Sequence, residues 1–259
     1  MKKLFYIILL FSFSVFAQES ITAEFIEKTP FKADSIIDID NFKTIYFLKN
    51  NALIRLRDKK TINYSNIQLG NITSINAFNP LKINVFYKAF NAVIVLDNRL
   101  AEVFKIDFNQ LKEYKNVTHI STGYDNTIWV FNQDLQQLEL FDYKLNKTRA
   151  KTLPVQSEVL DITSNYNSCW LLTRNFLYQY NYVGSLIQKI ENTGYTKINE
   201  SDENIFLKKE NALFLLPKNS KVVLPIKISN LLINQFFVTN QNLYIYSDET
   251  LHQYQLKIK

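Results

Sequence analysis

The residues best suited to chemistry occupy one position of a repeated segment. Aligning six similar segments places polar side chains at equivalent positions: Asp38, Ser74, His119, Asp161, Lys197 and Gln235. Carboxylates, an imidazole and an amine around one ring could bind a polar ligand or transfer protons. We therefore predict a ligand-binding ring at Asp38, His119, Asp161 and Lys197. The alternative is a water-filled channel whose polar lining does no chemistry.

Other chemistries lack a sequence motif. The chain has His119, His252 and Cys169 in different repeats, without the spacing of a zinc or calcium site, so no metal and no cofactor is expected. No G-x-S-x-G motif is present, and four glycines are too few for a glycine-rich phosphate loop. No catalytic residue is predicted, and we expect a protein that is not an enzyme. Paired carboxylates can be assembled from distant residues, so glycan chemistry stays open.

Short apolar runs of strand character position these residues, and they recur in pairs. The first run of each pair is TIYFL (44–48), KINVF (82–86), TIWVF (127–131), SCWLL (168–172), NIFL (204–207) and NLYIY (242–246). The second is ALIRL (52–56), AVIVL (92–96), QLELF (137–141), FLYQY (176–180), ALFLL (212–216) and TLHQY (250–254). Equivalent residues of the two runs, such as Ile45 and Leu53, are always an even number apart, which indicates a hairpin with a fixed face.

A polar run before each hairpin and a further run behind most of them give about four strands per unit of about 40 residues. This pattern is typical of a β-propeller blade and predicts an all-β propeller of about six four-stranded blades. The blades are expected to start near residues 35, 72, 117, 159, 196 and 231. Seven blades is the alternative count.

The sixth unit stops after its third strand, so the ring lacks one strand. Residues 21–31 (ITAEFIEKTPF) can supply it, which predicts a ring closed by an N-terminal strand.

The N-terminus has the pattern of a signal peptide: Lys2 and Lys3, an apolar run over 4–16, and Ala17 at the expected cleavage point. The run is too short to span a membrane, so residues 18–259 are expected to form one exported domain. The formal charge is +6, but no basic run exceeds two residues, so no nucleic-acid partner is predicted.

Aromatic and asparagine positions complete the prediction. Trp129 and Trp170 are equivalent and are expected to pack between blades, whereas Asn84 at the same position is either satisfied by a neighbour or marks an open blade face. The 29 asparagines suggest turns with positive φ, as at Asn50–Asn51 and Asn98. The second and third hairpins are longer, and Tyr87, Phe90 and Arg99 are predicted to project there as a partner-binding surface.

The stretch FNPLKINVFYKAFNAVIVLDNRL (78–100), with the asparagine- and lysine-rich units, resembles exported propeller proteins of Bacteroidota. That resemblance implies an accessory role in the Type IX secretion machinery and no catalytic residues. The sequence-based hypothesis is a non-enzymatic scaffold that docks a protein partner in the periplasm or at the periplasmic face of the outer membrane. The alternative is a propeller that binds a glycan or another small polar ligand in its channel.

Overall fold

The computed structural model describes residues 20–40 and 42–258, whose regular secondary structure consists of β-strands and three short 3-10 turns. The predicted signal peptide, residues 1–17, lies outside the described residues. Four repeats each form a separate antiparallel sheet of four strands. Their strands are β2 (Ser35–Ile39), β3 (Ile45–Lys49), β4 (Ala52–Arg57) and β5 (Lys60–Tyr64); β6 (Ser74–Asn76), β7 (Ile83–Tyr87), β8 (Ala92–Leu96) and β9 (Glu102–Asp107); β10 (Val117–Thr122), β11 (Thr127–Asn132), β12 (Gln137–Asp142) and β13 (Lys147–Lys151); and β14 (Val159–Ser164), β15 (Ser168–Thr173), β16 (Phe176–Asn181) and β17 (Leu186–Glu191).

The remaining strands form one sheet of eight, in the order β18-β19-β20-β21-β1-β24-β23-β22. They are β1 (Ile21–Pro30), β18 (Lys197–Ser201), β19 (Asn204–Lys209), β20 (Ala212–Leu216), β21 (Leu224–Lys227), β22 (Gln235–Thr239), β23 (Asn242–Ser247) and β24 (Thr250–Lys257). The prediction of six separate four-stranded blades is therefore wrong: the described residues form four such blades and one double-length sheet. The fifth and sixth repeats merge because β1 bonds to a strand of each.

The N-terminal strand pairs with the C-terminal strand, as the sequence predicted. β1 runs antiparallel to β24 from Thr22↔Lys257 to Pro30↔Thr250. Its first two residues also pair in parallel with β21, at Ile21↔Ile226 and Thr22↔Lys227. The second contact was not predicted, and it joins the two repeats into one sheet.

The inner strands of the repeats contact one another in a closed cycle, β2-β6-β10-β14-β18-β22. Six clusters of buried apolar side chains lie between successive repeats of the described chain. The hairpins keep the same pairing from repeat to repeat, as predicted. The prediction that equivalent positions of the two runs, such as Ile45 and Leu53, lie on one face of the sheet is wrong. Ile45 pairs with Leu56 and Leu53 with Leu48, so Ile45 and Leu53 point to opposite sides of the sheet and pack against different neighbours.

Asparagines between the second and third strands adopt turn conformations and bond to the linkers between repeats. Asn50 and Asn51 adopt positive φ as predicted, whereas Asn98 does not and Leu100 takes that conformation in its loop. The amide of Asn91 accepts from Val117 N and donates to Lys115 O at the entrance to the next repeat. Asn51 bridges Ile72 N and Gly70 O in the same way, and Asn211 bridges Ile233 N and Leu231 O. Each bridge fixes the linker that leads into the following inner strand.

Cys169 is fully buried, and burial raises the pKa of its thiol. No helix in the described ranges is long and apolar enough to cross a bilayer.

Candidate binding site in the central channel

A cavity of about 620 Å³ lies between the inner strands. Its wall contains Asp38, Asp161 and Lys197 of the predicted ring, together with Ser74 and Gln235. His119 is not part of this wall; its Nδ1 lies 3.1 Å from Thr118 Oγ1. The structure thus brings three of the four predicted ligand-binding residues to one cavity and leaves His119 beside it.

Asp38 does not occupy the level of the ring that the sequence alignment gave it. Ser74, His119, Asp161, Lys197 and Gln235 face equivalent positions of their second strands, and the first repeat places Ser35 there, opposite Leu48. Asp38 instead lies opposite Tyr46, level with Asn76, Ser121, Thr163 and Asn199. A β-bulge directly precedes Asp38, as one directly precedes His119 and Asp161, but the bulge before Asp38 lies two levels nearer the start of the second strand. Similar local sequence therefore does not give an equal level in the channel.

Several polar side chains of the channel bridge neighbouring repeats. Asp161 accepts from Ile198 N, Asn199 accepts from Val238 N, and Gln235 bonds to both Ile36 N and Ile36 O. Asn76 and Ser121 continue the pattern: Asn76 Nδ2 donates to Ser121 Oγ at 3.3 Å, and Ser164 bonds to the same Ser121 hydroxyl. Part of the predicted ring therefore holds the inner strands together.

Burial is the main cause of the pKa shifts of the charged groups in and beside the channel. Burial raises the pKa of Asp38 to about 6, against a hydrogen bond from Ile39 N that lowers it. Burial also raises the pKa of Asp161, although Lys197 Nζ lies 3.6 Å from its carboxylate, and that of Glu200. Burial, with Lys88 and Lys197 nearby, lowers the pKa of His119 to about 4, so its imidazole is neutral at pH 7.

The cavity is also lined by four charged residues that were not predicted: Asp40, Glu200, Asp202 and Lys208. The prediction rested on a single position of each repeat. Polar residues also occur at the level of Asn76, Ser121, Thr163 and Asn199, and that second periodic signal could have drawn attention to the whole channel wall.

The predicted tryptophans are buried between repeats. Trp129 packs with Cys169 and Leu171 of the next repeat, and Trp170 packs with Ile198 and Ile205. Asn84 is also buried, and its Nδ2 donates to Thr122 Oγ1 at 3.2 Å. The second blade face is therefore closed by a hydrogen bond.

The predicted projecting surface of Tyr87, Phe90 and Arg99 does not form. Tyr87 is 0% exposed, so it cannot contact a partner. Phe90 is half-exposed in a short 3-10 turn (Lys88–Phe90), because the extra hairpin residues fold into that turn. Arg99 is exposed beyond the other end of β8 and pairs with Asp97 at 3.1 Å. Phe90 and Arg99 consequently lie on opposite faces of the ring.

Exposed aromatic and apolar side chains cluster on the face that carries Arg99, in the loops between first and second strands. Phe42 is 69% exposed and Leu81 64%, and Phe78 and Tyr166 are partly exposed with ring centroids 5.2 Å apart. Phe42 and Leu81 line a second cavity of about 340 Å³ beside Arg57, whose guanidinium lies 5.3 Å from the Phe42 ring centre. We call Phe42, Phe78, Leu81 and Tyr166 the aromatic rim.

No cluster of three or more histidine, cysteine or acidic side chains suited to a metal ion occurs in residues 20–40 and 42–258.

The sheets, the closed cycle of inner strands and the axial cavity define the chain as a β-propeller. No protein-family model matches the sequence, and no curated protein matches it. Solved structures do match the fold. Virginiamycin B lyase from Staphylococcus aureus, in an inactive H270A form with quinupristin, is 12% identical with a TM-score of 0.62 over 88% of this chain and 83% of that one. The Pan2 WD40 domain of Neurospora crassa is 7% identical with a TM-score of 0.59 over 88% and 76%. A chain of the mitotic checkpoint complex is 10% identical with a TM-score of 0.56 over 92% and 91%. The similar structures include a lyase and other propellers, so their similarity to this chain establishes the fold alone.

Proposed function

We propose that this chain is a non-enzymatic propeller scaffold that docks a protein partner of the cell envelope through the aromatic rim. The proposal extends to a location in the periplasm or at the periplasmic face of the outer membrane, and to a role in Type IX protein secretion. Its structural support is the rim itself; the location and the secretion role rest on the sequence pattern of residues 1–17 and the resemblance described above.

The rim has the composition of a protein interface. Aromatic side chains and arginine are enriched at such contacts, and a group of exposed apolar residues costs solubility unless a partner covers it. Phe42, Leu81 and Arg57 share one depression, and Phe78 also lines the channel mouth. Four loop residues from the first, second and fourth repeats thus form one surface around that mouth.

The use of the channel polar groups supports a scaffold over an enzyme. Asp161 and Gln235 already accept hydrogen bonds from backbone groups of the neighbouring repeat, and His119 lies beside the cavity. A general acid–base pair needs groups within hydrogen-bonding reach of the same substrate atom.

The test is a tagged pull-down from the native cell envelope in mild detergent, with the co-purifying proteins identified by mass spectrometry. The wild type is compared with a Phe42→Ser/Leu81→Ser variant. The matched control is Ile67→Ser/Leu153→Ser, two highly exposed apolar residues in linkers on the opposite face.

A stoichiometric envelope protein that is lost with the rim variant and kept with the control supports the proposal. Recovery of the wild type alone, or equal capture by the rim variant, contradicts it. A partner from the secretion machinery would support the finer assignment, and an unrelated partner would overturn that part only.

A second candidate function is favoured by the 620 Å³ cavity, whose volume is in the range that holds small ligands. In that case the propeller binds a glycan or another small polar molecule in its channel.

A further inference from the structure

The channel has chemically different ends because all its inner strands run in the same direction. Hydrogen bonds between neighbouring repeats join residues at nearly equal levels, such as Asp161 to Ile198 and Gln235 to Ile36. The start of each inner strand therefore lies at one mouth and its end at the other. Lys197, the first residue of β18, and Asp202, which directly follows this strand, mark the two mouths.

The mouth at the strand starts is basic. Lys197 and Lys208 lie directly opposite each other in the β18–β19 ladder, and both line the cavity. Like charges in this arrangement repel each other. Lys197 has Asp161 at 3.6 Å, whereas no carboxylate of the described residues lies within 4.0 Å of Lys208. Lys88 adds a further charge close enough to lower the pKa of His119. An anionic group bound here would relieve this repulsion.

The mouth at the strand ends is acidic. Asp40, Glu200 and Asp202 line it, and Asp38 lies one step further inside. Glu200 uses Oε1 to accept from Asn165 and Glu203, and Asp38 uses Oδ1 to accept from Ile39. Their second oxygens receive no hydrogen bond from the described part of the chain. Two half-buried carboxylates with free oxygens and no ion-pair partner favour a bound cation with several donors, such as an ammonium group.

The distance between the mouths sets the size of the ligand. Three residue steps of β18 separate Lys197 from Glu200. At about 3.3 Å per residue this is roughly 10 Å. An extended peptide of about three residues has the same reach.

We propose that the channel binds a short peptide with free ends lengthwise, its ammonium group at Glu200 and Asp38 and its carboxylate at Lys197 and Lys208. Phe42 and Phe78 of the aromatic rim line the same cavity, but none of the four charged residues named here belongs to the rim, so different variants test the two proposals.

The test is calorimetric titration of the full-length protein with the peptide Ala-Ser-Ala, and with its N-acetylated and C-amidated forms. Each cap is expected to weaken binding roughly tenfold or more, because it removes one charge-assisted set of hydrogen bonds. Lys208→Met should reduce the loss of affinity that C-amidation causes, and Glu200→Gln should reduce the loss that N-acetylation causes. Asp38→Asn replaces Glu200→Gln if the latter does not fold. Lys147→Met, an exposed lysine on the outer strand β13, is the control and should behave as the wild type.

Equal affinity for the free and doubly capped peptides would overturn the proposal, as would no measurable binding of any peptide at millimolar concentration. Failure of the pull-down described above would leave these outcomes unchanged, because the titration tests the charged residues of the channel and involves no protein partner.

Discussion

Three asparagines perform the same structural task at different places in the ring. Asn51, Asn91 and Asn211 each follow the second strand of a repeat and bond to the linker that enters the next one. A side-chain amide suits this task because it offers a donor and an acceptor on one rigid group. The high asparagine content thus serves contacts between repeats as well as turn conformation.

Asn91→Ala should lower the free energy of unfolding by about 2 kcal/mol, because Val117 N and Lys115 O lose their partner in a buried setting. Urea unfolding followed by circular dichroism measures this. Asn98→Ala, at an exposed loop position, is the control and should change stability by less than about 0.5 kcal/mol. Equal losses in both variants would contradict a specific role of the bridge.

Asp38→Asn should stabilise the protein above pH 6 by about 1 kcal/mol and leave it unchanged near pH 4. Its pKa is raised by burial from 3.8 to about 6, so the fold favours the neutral carboxyl. The stability that this group contributes is fully present below its unfolded pKa and is lost as the pH rises through about 6. Asparagine removes the charge that causes the loss.

Thermal unfolding from pH 4 to pH 8 measures this difference, with the exposed Asp58→Asn as control. A gain that is independent of pH, or one confined to low pH, would show that ionisation of Asp38 is not the cause.

Single residues differ in how well the sequence predicted them. The burial of Trp129 and Trp170 followed from their equivalent places in the second strand of their repeats, where a large aromatic side chain packs between blades. The level of Asp38 did not follow, because the bulge in β2 lies two levels away from the position of the bulges in β10 and β14, and the position of a bulge has no reliable sequence signal. Tyr87 was misplaced for a related reason: the extra hairpin residues form a helical turn after it instead of lengthening the strands.

At the scale of elements, β1 connects the two ends of the chain. It pairs with β24 along eight residue pairs and buries Ile21 in the cluster shared by the fifth and sixth repeats. Directly beyond it, Phe31 stacks edge-on against Phe47 of the first repeat, with ring centroids 5.0 Å apart. Residues 21–31 therefore contact three repeats at once.

Deletion of residues 18–31 should unfold the protein or cause it to aggregate, because the deletion exposes the edge of β24 and removes these contacts. A variant that starts at residue 18 is the control. Light scattering and thermal unfolding distinguish the outcomes. Unchanged melting of the shorter variant would show that β1 is dispensable.

The pairing of β1 with β24 was predictable because the sixth repeat lacks a strand and residues 21–31 alternate. Its parallel contact with β21 was not predictable. Two residue pairs decide whether the fifth and sixth repeats are separate sheets or one, and such a short contact between strands about 200 residues apart has no local sequence signal.

At the scale of the molecule, apolar clusters between neighbours connect every repeat to the next, and β1 completes the cycle. Unfolding should therefore be a single cooperative transition. The fluorescence of Trp129 and Trp170 reports on the third and fourth repeats, and far-ultraviolet circular dichroism reports on all strands. Fluorescence and circular dichroism should give the same urea midpoint of unfolding. Separate midpoints would show that groups of repeats unfold independently.

The ring geometry was predictable from six similar segments, but the aromatic rim was not. The rim residues Phe42, Phe78 and Tyr166 are distant in sequence and belong to no repeated pattern. They meet only because the loops between first and second strands all emerge on one face, which is a property of the closed ring.

The position of β1 also has a consequence for how the chain reaches this structure. β1 comes early in the chain, yet its partners β21 and β24 lie about 200 residues later. Contacts of such long range form slowly, because the loop-closure entropy is lost before the contact stabilises the chain. Every other described strand can pair with a neighbour in its own repeat, whereas β1 has to wait for the last repeats to be made. During synthesis, Ile21 would remain uncovered for longest, and this segment is where a chaperone would be most expected to bind.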